Sequence, residues 1–103
     1  MKGRNQDFQV LSQNADGTII QSPDRHFPGV LIQGDSLNIL FDHLMMALER
    51  LDGKTDRETF LCILKQAEAV ESHLRNYETV LSSHGMRLPY DRDQNRTTAK
   101  YKH

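Results

Sequence analysis

Ser36 is the residue whose type and surroundings most suggest chemistry in this chain. It lies in the run Gly34-Asp35-Ser36-Leu37, directly after the apolar stretch from Val30 to Gln33. A serine hydroxyl becomes a nucleophile only when a neighbouring base takes its proton and an acidic group holds that base. The residues available to activate Ser36 therefore decide whether this run is catalytic.

The same four residues allow two interpretations. They resemble the signature of the GDSL hydrolases, in which the serine after a strand is an esterase nucleophile. The resemblance implies partners from an Asp-x-x-His near the end of a much longer chain. No aspartate of these 103 residues is followed by a histidine three positions later. In the second interpretation, Asp35 or Ser36 caps a helix by accepting a hydrogen bond from a free N–H of its first turn. The cap explains the run without catalysis, so we predict that the protein is not an enzyme. A small serine hydrolase that uses Ser36 is the alternative.

Cysteine and histidine do not form a metal-binding pattern. Cys62 is the single cysteine, and the five histidines are scattered rather than placed at the spacing of zinc ligands. We therefore expect no metal, no cofactor and no internal disulfide. Hydrophobic residues make up 37% of the chain and charged residues 26%. This composition, with no long apolar run, predicts a soluble cytoplasmic protein without a membrane span or a secretory signal.

The first third of the chain is predicted to form three antiparallel strands, over about residues 8–13, 18–22 and 29–33. Asp16-Gly17 lies between the first two strands and favours a tight turn, because glycine readily adopts positive φ. Pro28-Gly29 and Gly34 bound the third. Three strands need a covering layer to be stable.

Two amphipathic helices are predicted to supply that layer. Apolar residues recur every three or four positions over about residues 36–51 and again over about residues 56–84. Thr55 and Glu58 form a capping-box pattern at the start of the second helix, and Gly85 suits its C-terminal end. The expected fold is α+β, with a three-stranded antiparallel meander covered by an antiparallel two-helix hairpin. We expect one domain over residues 1–88.

The second predicted helix is longer than the first, so one end of it lacks a helical partner. That end carries Leu74, Tyr77 and Leu81. Unpaired apolar stripes are seldom left in water. These side chains either become covered within the chain, by the sheet edge or the residues around Met86 and Leu88, or they bury against a second copy in a homodimer.

Charge is unevenly distributed along the chain. Residues 35–85 carry nine acidic and five basic side chains, whereas residues 86–103 carry two acidic and five basic ones. The acidic body is a poor surface for nucleic acid. Residues 89–103 are predicted to form a basic, flexible tail that can contact phosphates or an acidic partner. The tail has no defined groove-reading element, which argues against DNA binding.

A longer resemblance covers about residues 8–50. Phe27-Pro28-Gly29, then Gln33-Gly34-Asp35-Ser36-Leu37, then a helix containing Ala47-Leu48-Glu49, are similar to the N-terminal module of HicB-like antitoxins. The resemblance implies a meander followed by a helix, in a module that binds and silences a small basic ribonuclease toxin. The whole layout is also similar to small stand-alone bacterial proteins of unknown function. The long second helix and the tail depart from the HicB pattern, in which a fourth strand and a DNA-binding segment usually follow.

The predicted binding surface lies on the first helix. Ile39, His43 and Met46 are spaced by four and three residues, which places them together on the face opposite the apolar stripe. Asp42 and Glu49 lie beside them and suit a partner with a basic rim. Alternatively, the helix is sandwiched and these residues are covered. We expect an antitoxin or immunity-type protein that occludes a basic protein toxin or effector; the alternative is a structural or regulatory homodimer.

Overall fold

Three antiparallel strands form the first part of the structure, a computed structural model that describes residues 7–101. The strands are β1 (Gln9–Asn14), β2 (Gly17–Gln21) and β3 (Gly29–Leu31), in the sheet order β1-β2-β3. Gly17 begins β2 with a φ of 131°, and the Asn14 side chain accepts a hydrogen bond from the Asp16 N–H at 2.8 Å. The predicted meander and its turn are confirmed, although the third strand ends at Leu31, two residues earlier than expected.

Two helices follow, α1 (Gly34–Leu51) and α2 (Arg57–Ser83). The α+β fold class is therefore confirmed, and α1 begins two residues before the predicted Ser36. Gly53, with a φ of 75°, and Gly85, with a φ of 67°, follow the two helices in the left-handed conformation.

The N-terminal cap of α2 differs from the predicted Thr55 and Glu58 pair. Asp56 is the cap, and its carboxylate accepts hydrogen bonds from the Thr59 N–H at 2.8 Å and the Thr59 hydroxyl at 2.9 Å. Both bonds stabilise the charged carboxylate and lower the pKa of Asp56 below its ordinary value. The bond from the Thr59 N–H has the larger effect. Aspartate satisfies the free N–H groups here with a charged acceptor, which is stronger than a hydroxyl.

Contacts divide the chain into two compact units, one ending at Gln33 and one beginning at Gly34. The single domain over residues 1–88 stays a prediction. The hydrophobic core lies in the second unit, where α1 packs against α2. It consists of Phe41, Met45 and Leu48 from α1 and of Phe60, Leu64, Ala67 and Leu74 from α2. The helical hairpin is as expected, whereas the covering of the sheet stays a prediction.

The C-terminal segment, which we define as residues 90–101, packs against the second unit. It ends in a short 3₁₀ helix, Thr98–Tyr101. Tyr90 and Tyr101 both lie against the core. The structure packs this segment against the helices, while the flexibility of residues 89–103 stays a prediction. Residues 102 and 103 lie outside the described part of the chain. Over residues 7–101, neither helix has the length and apolar character that crossing a membrane requires.

Candidate partner-binding face on the first helix

The predicted binding residues form one surface of α1, which we call the α1 patch: Ile39, Asp42, His43, Met46 and Glu49. The opposite side of the helix is buried, because Phe41, Met45 and Leu48 pack into the core. Ile39 is 55% exposed and Met46 38% exposed, and His43 is also exposed. The two apolar side chains and the imidazole therefore lie at the surface of α1.

Basic side chains of the same chain already contact the acidic border of the α1 patch. Nη2 of Arg96 lies 3.1 Å from Oε1 of Glu49, and Nη1 lies 3.6 Å from Oδ1 of Asp42. Nζ of Lys100 lies 3.7 Å from Oε2 of Glu49. The basic C-terminal residues thus find an acidic partner within their own chain. Composition revealed the opposite charges of body and tail but not their pairing.

Arg92 anchors the beginning of the C-terminal segment. Its side chain is only 6% exposed, and Nε lies 2.8 Å from Oε2 of Glu78. The same carboxylate oxygen accepts a hydrogen bond from the Tyr90 hydroxyl at 2.8 Å. The guanidinium also lies over the Phe41 ring, 5.2 Å from its centroid. Burial, the hydrogen bond to Glu78 and the negative charge of Glu78 all raise the pKa of Tyr90, so this phenol stays protonated.

Glu71 anchors the end of the segment. It is buried on α2 and accepts hydrogen bonds from the N–H of Thr98, at 3.2 Å, and from its hydroxyl. Arg75 pairs with the other carboxylate oxygen at 2.9 Å, as the four-residue spacing indicates. Burial alone would raise the pKa of Glu71, but hydrogen bonds from Thr98, Thr97 and Arg75 outweigh it and lower the pKa below 4.5.

An aromatic contact completes the second anchor. The ring of Tyr101 meets the ring of Phe60 edge to face, with centroids 5.4 Å apart. The beginning of the C-terminal segment therefore contacts Glu78, near the C-terminal end of α2, and its end contacts Phe60, near the N-terminal end of the same helix. Arg96 and its contacts with the α1 patch lie between these two anchors.

The predicted dimer residues occupy different environments. Leu74 is completely buried in the core of its own chain, and a dimer role for these residues stays a prediction. Tyr77 and Leu81 are partly buried. The ring of Tyr77 lies against the backbone of Gly34 at the start of α1.

The Gly34-Asp35-Ser36-Leu37 run forms the start of α1. Gly34 is buried, and a Cβ atom at this position would overlap the ring of Tyr77. Asp35 accepts a hydrogen bond from the Ser36 N–H at 2.8 Å. The Ser36 side chain is exposed, and within residues 7–101 neither a histidine nor a carboxylate hydrogen-bonds its hydroxyl. The structure thus gives the glycine of this motif a packing role.

Two other features of the described residues bear on binding. A cavity of about 540 Å³ opens in the first unit, with Phe8, Ile20, Arg25 and Phe27 among its lining residues. Over residues 7–101, no three histidine, cysteine or acidic side chains are grouped as metal ligands would be. In the α1 patch, basic side chains from another segment already pair with the acidic border.

One comparison with known proteins gives a match. Residues 3–90 match the family described as "Family of unknown function (DUF6959)". No curated protein and no solved structure matches the chain. The matched residues include both helices and reach the beginning of the C-terminal segment.

Proposed function

This chain belongs to the family of unknown function DUF6959, and we propose that it is a non-catalytic protein-binding module. The α1 patch is its binding surface, and the partner is a protein with a basic face. The finer proposal is that the partner is a toxin or effector, which the module neutralises by covering its active face. This is the antitoxin or immunity type of function.

One observation carries the proposal. Asp42 and Glu49 hold the guanidinium of Arg96, which comes from a different segment of the chain, 47 residues beyond Glu49. A guanidinium presented by another protein would meet the same two carboxylates. Complementary charge of this kind mainly sets the rate of encounter and the choice of partner.

The apolar part of the patch supplies the other half of the interface. Ile39 and Met46 are exposed on either side of His43, each about one turn of helix away from it. Interfaces combine a central apolar contact with a polar or charged rim. Ile39 and Met46 would form the centre, and Asp42 and Glu49 the rim. Such an interface excludes other ligands from the partner's basic face by occupying it.

The choice of a toxin as partner rests on the HicB-like resemblance of residues 8–50. In that family the module silences a small basic ribonuclease, and the acidic rim of the α1 patch suits a partner of that charge. The resemblance supports a toxin as the class of partner. Because it ends before α2, operator binding is not part of the proposal.

The first experiment is to purify the tagged protein from its own host and identify co-purifying proteins by mass spectrometry. We expect a stoichiometric small basic protein. The variant Asp42→Lys with Glu49→Lys should lose it, because both rim charges are reversed. A matched variant, Asp52→Lys with Glu58→Lys, changes the charge equally at exposed positions outside the patch and should retain the partner.

The apolar centre is tested separately. Met46→Ala should weaken capture of the same partner about tenfold or more if Met46 lies at the centre of the contact. Leu61→Ala is the matched control, because Leu61 on α2 is 37% exposed and lies outside the patch. Equal capture by all four variants and the wild type would refute the α1 patch as the binding surface.

A further inference from the structure

The C-terminal segment presents three basic side chains at intervals of four residues, namely Arg92, Arg96 and Lys100. The first is buried with its carboxylate, whereas Arg96 is 25% and Lys100 46% exposed. Half-exposed ion pairs contribute little net stability, while separating a buried pair is costly. The segment is therefore held firmly at Arg92 and at Thr98, and weakly at Arg96 and Lys100.

We infer that Arg96 and Lys100 are an intramolecular competitor for the α1 patch. In the free protein they occupy Asp42 and Glu49, and a binding partner replaces them with its own basic side chains. The inference rests on the proposed function and adds the regulation of that site. It also states what the partner must present, which is an arginine or lysine able to reach the same two carboxylates.

The geometry favours replacement over simultaneous binding. Both oxygens of Glu49 are engaged, Oε1 by Arg96 and Oε2 by Lys100. An incoming guanidinium binds a carboxylate best when it takes both oxygens in parallel. At least one of the two internal cations must therefore leave before Glu49 makes such a pair with a partner.

Replacement does not require the segment to detach. Arg96 and Lys100 each lie two residues from Thr98, whose N–H and hydroxyl are bound by buried Glu71. Their long side chains swing into solvent by rotation about side-chain bonds and regain rotamer freedom as they do so. The Glu78 and Glu71 anchors keep the backbone of the segment in place while the patch changes its occupant.

The test removes the competitor in the full chain, with Arg96→Gln and Lys100→Gln together. The probe is a fluorescein-labelled nona-arginine peptide, and its binding is measured by fluorescence anisotropy at low salt. We expect about threefold to tenfold tighter binding than to the wild type, in keeping with partly exposed ion pairs. The gain should shrink as salt screens the carboxylates.

The matched control is Lys65→Gln with Arg87→Gln, which removes two positive charges at exposed positions. It should bind the probe within about twofold of the wild type. Circular dichroism checks that both double variants remain folded. A gain no larger than that of the control would overturn the inference, because net charge alone would then explain it.

A third variant separates this inference from the proposed function. Asp42→Asn and Glu49→Gln, added to the competitor-free variant, should abolish the gain for the probe. If the gain disappears as expected while the host partner is captured without these carboxylates, the self-competition stands and the proposed function fails. If the competitor-free variant behaves like its control while Asp42→Lys with Glu49→Lys loses the host partner, the inference fails and the proposed function stands.

Discussion

Gly34 is required because an aromatic ring occupies the space where a side chain would be. The ring of Tyr77 lies against the backbone at this position, so any residue with a Cβ forces the ring to move. The sequence alone favoured a turn or an esterase motif as the reason for this glycine. Close packing between the start of α1 and the end of α2 is a different reason, and it predicts different consequences of mutation.

We predict that Gly34→Ala destabilises the protein by about 1–2 kcal/mol, since an inserted methyl group displaces the Tyr77 ring. Urea denaturation followed by circular dichroism measures this effect. Ser36→Ala should stay within about 0.5 kcal/mol of the wild type.

A double-mutant cycle identifies the cause. In a Tyr77→Ala background the space is open, so Gly34→Ala should cost nothing or stabilise the helix slightly. A cost that is the same in both backgrounds would contradict the proposed contact with the ring.

Glu71 gives the protein a specific response to acid. Its folded-state pKa lies below the ordinary value of 4.5, so its contribution to stability is present above that pH and is lost as pH falls through the folded pKa. We predict that the free energy of unfolding decreases below about pH 4.5. Glu71→Gln should cost about 1–3 kcal/mol at pH 7 and make the decrease smaller.

The measurement is the urea midpoint at several pH values between 7 and 3. Glu58→Gln serves as the control, because Glu58 is exposed near the start of α2. This variant should retain the full acid response. An acid response that is identical in Glu71→Gln and the wild type would assign the effect to other carboxylates.

At the scale of elements, the C-terminal segment behaves as part of the second unit. Arg92 is buried with Glu78 and lies over Phe41, so its removal leaves a carboxylate without its cation and a gap beside the ring. We predict that Arg92→Ala costs about 3 kcal/mol. Thermal and urea unfolding measure it, with exposed Arg87→Ala as the control, expected within about 0.5 kcal/mol of the wild type.

Hydrogen exchange gives an independent readout of the same element. The Thr98 N–H is bound to buried Glu71, so it should exchange slowly in the wild type and faster in Arg92→Ala. A Thr98 amide that exchanges at the rate of an unstructured peptide would mean that the segment is not held against the helices in solution.

Because Leu74 is buried, a substitution at this position tests the core that α2 forms. We predict that Leu74→Glu unfolds the protein, because it places a charge in the core. Val80→Glu, at a 43% exposed position of the same helix, should remain folded. Circular dichroism and gel filtration distinguish this outcome from that of a dimer surface, for which Leu74→Glu would give a folded monomer.

The elements were predictable where their signals are local. The period of apolar residues identified both helices, and Asp16-Gly17 identified the β1–β2 turn. The apolar period alone does not define the whole core, because each helix buries a broader stripe, which includes Met45 and Leu64. Glu71 is also buried, which the type of residue does not indicate, since glutamate is seldom fully buried unless it is paired.

The packing of the C-terminal segment was unpredictable for a different reason. Its contacts join residues far apart in sequence, with separations of 14 residues for Arg92 with Glu78 and 47 for Arg96 with Glu49. The periodic spacing of apolar residues does not indicate which charged residues pair over such distances. The opposite charges of body and tail were visible, but the same charges suit an external partner equally well.

At the scale of the whole molecule, burial is concentrated in the second unit. Over residues 7–101, every buried hydrophobic side chain lies between Phe41 and Leu74. We predict that a fragment of residues 34–103 unfolds cooperatively, with a Tm within about 5 °C of the full chain, or roughly 1 kcal/mol for a domain of this size. Differential scanning calorimetry of both proteins tests this.

The complementary measurement is the unfolding of the first unit alone. A peptide of residues 1–33 should show no cooperative transition, because three short strands without a covering layer are marginal in water. An unfolded 34–103 fragment would show that the core of the second unit is insufficient on its own.

The C-terminal segment also has a consequence for synthesis on the ribosome. Both helices are synthesised before the residues that cover them, since Arg92 and Tyr101 follow the end of α2 at Ser83. At a typical elongation rate the interval from Ser83 to Tyr101 lasts roughly one to four seconds. During this interval the rings of Phe41 and Phe60 lack part of their cover, and Asp42, Glu49 and Glu78 lack their cations. The nascent chain therefore passes through a more acidic and more apolar intermediate than the finished protein.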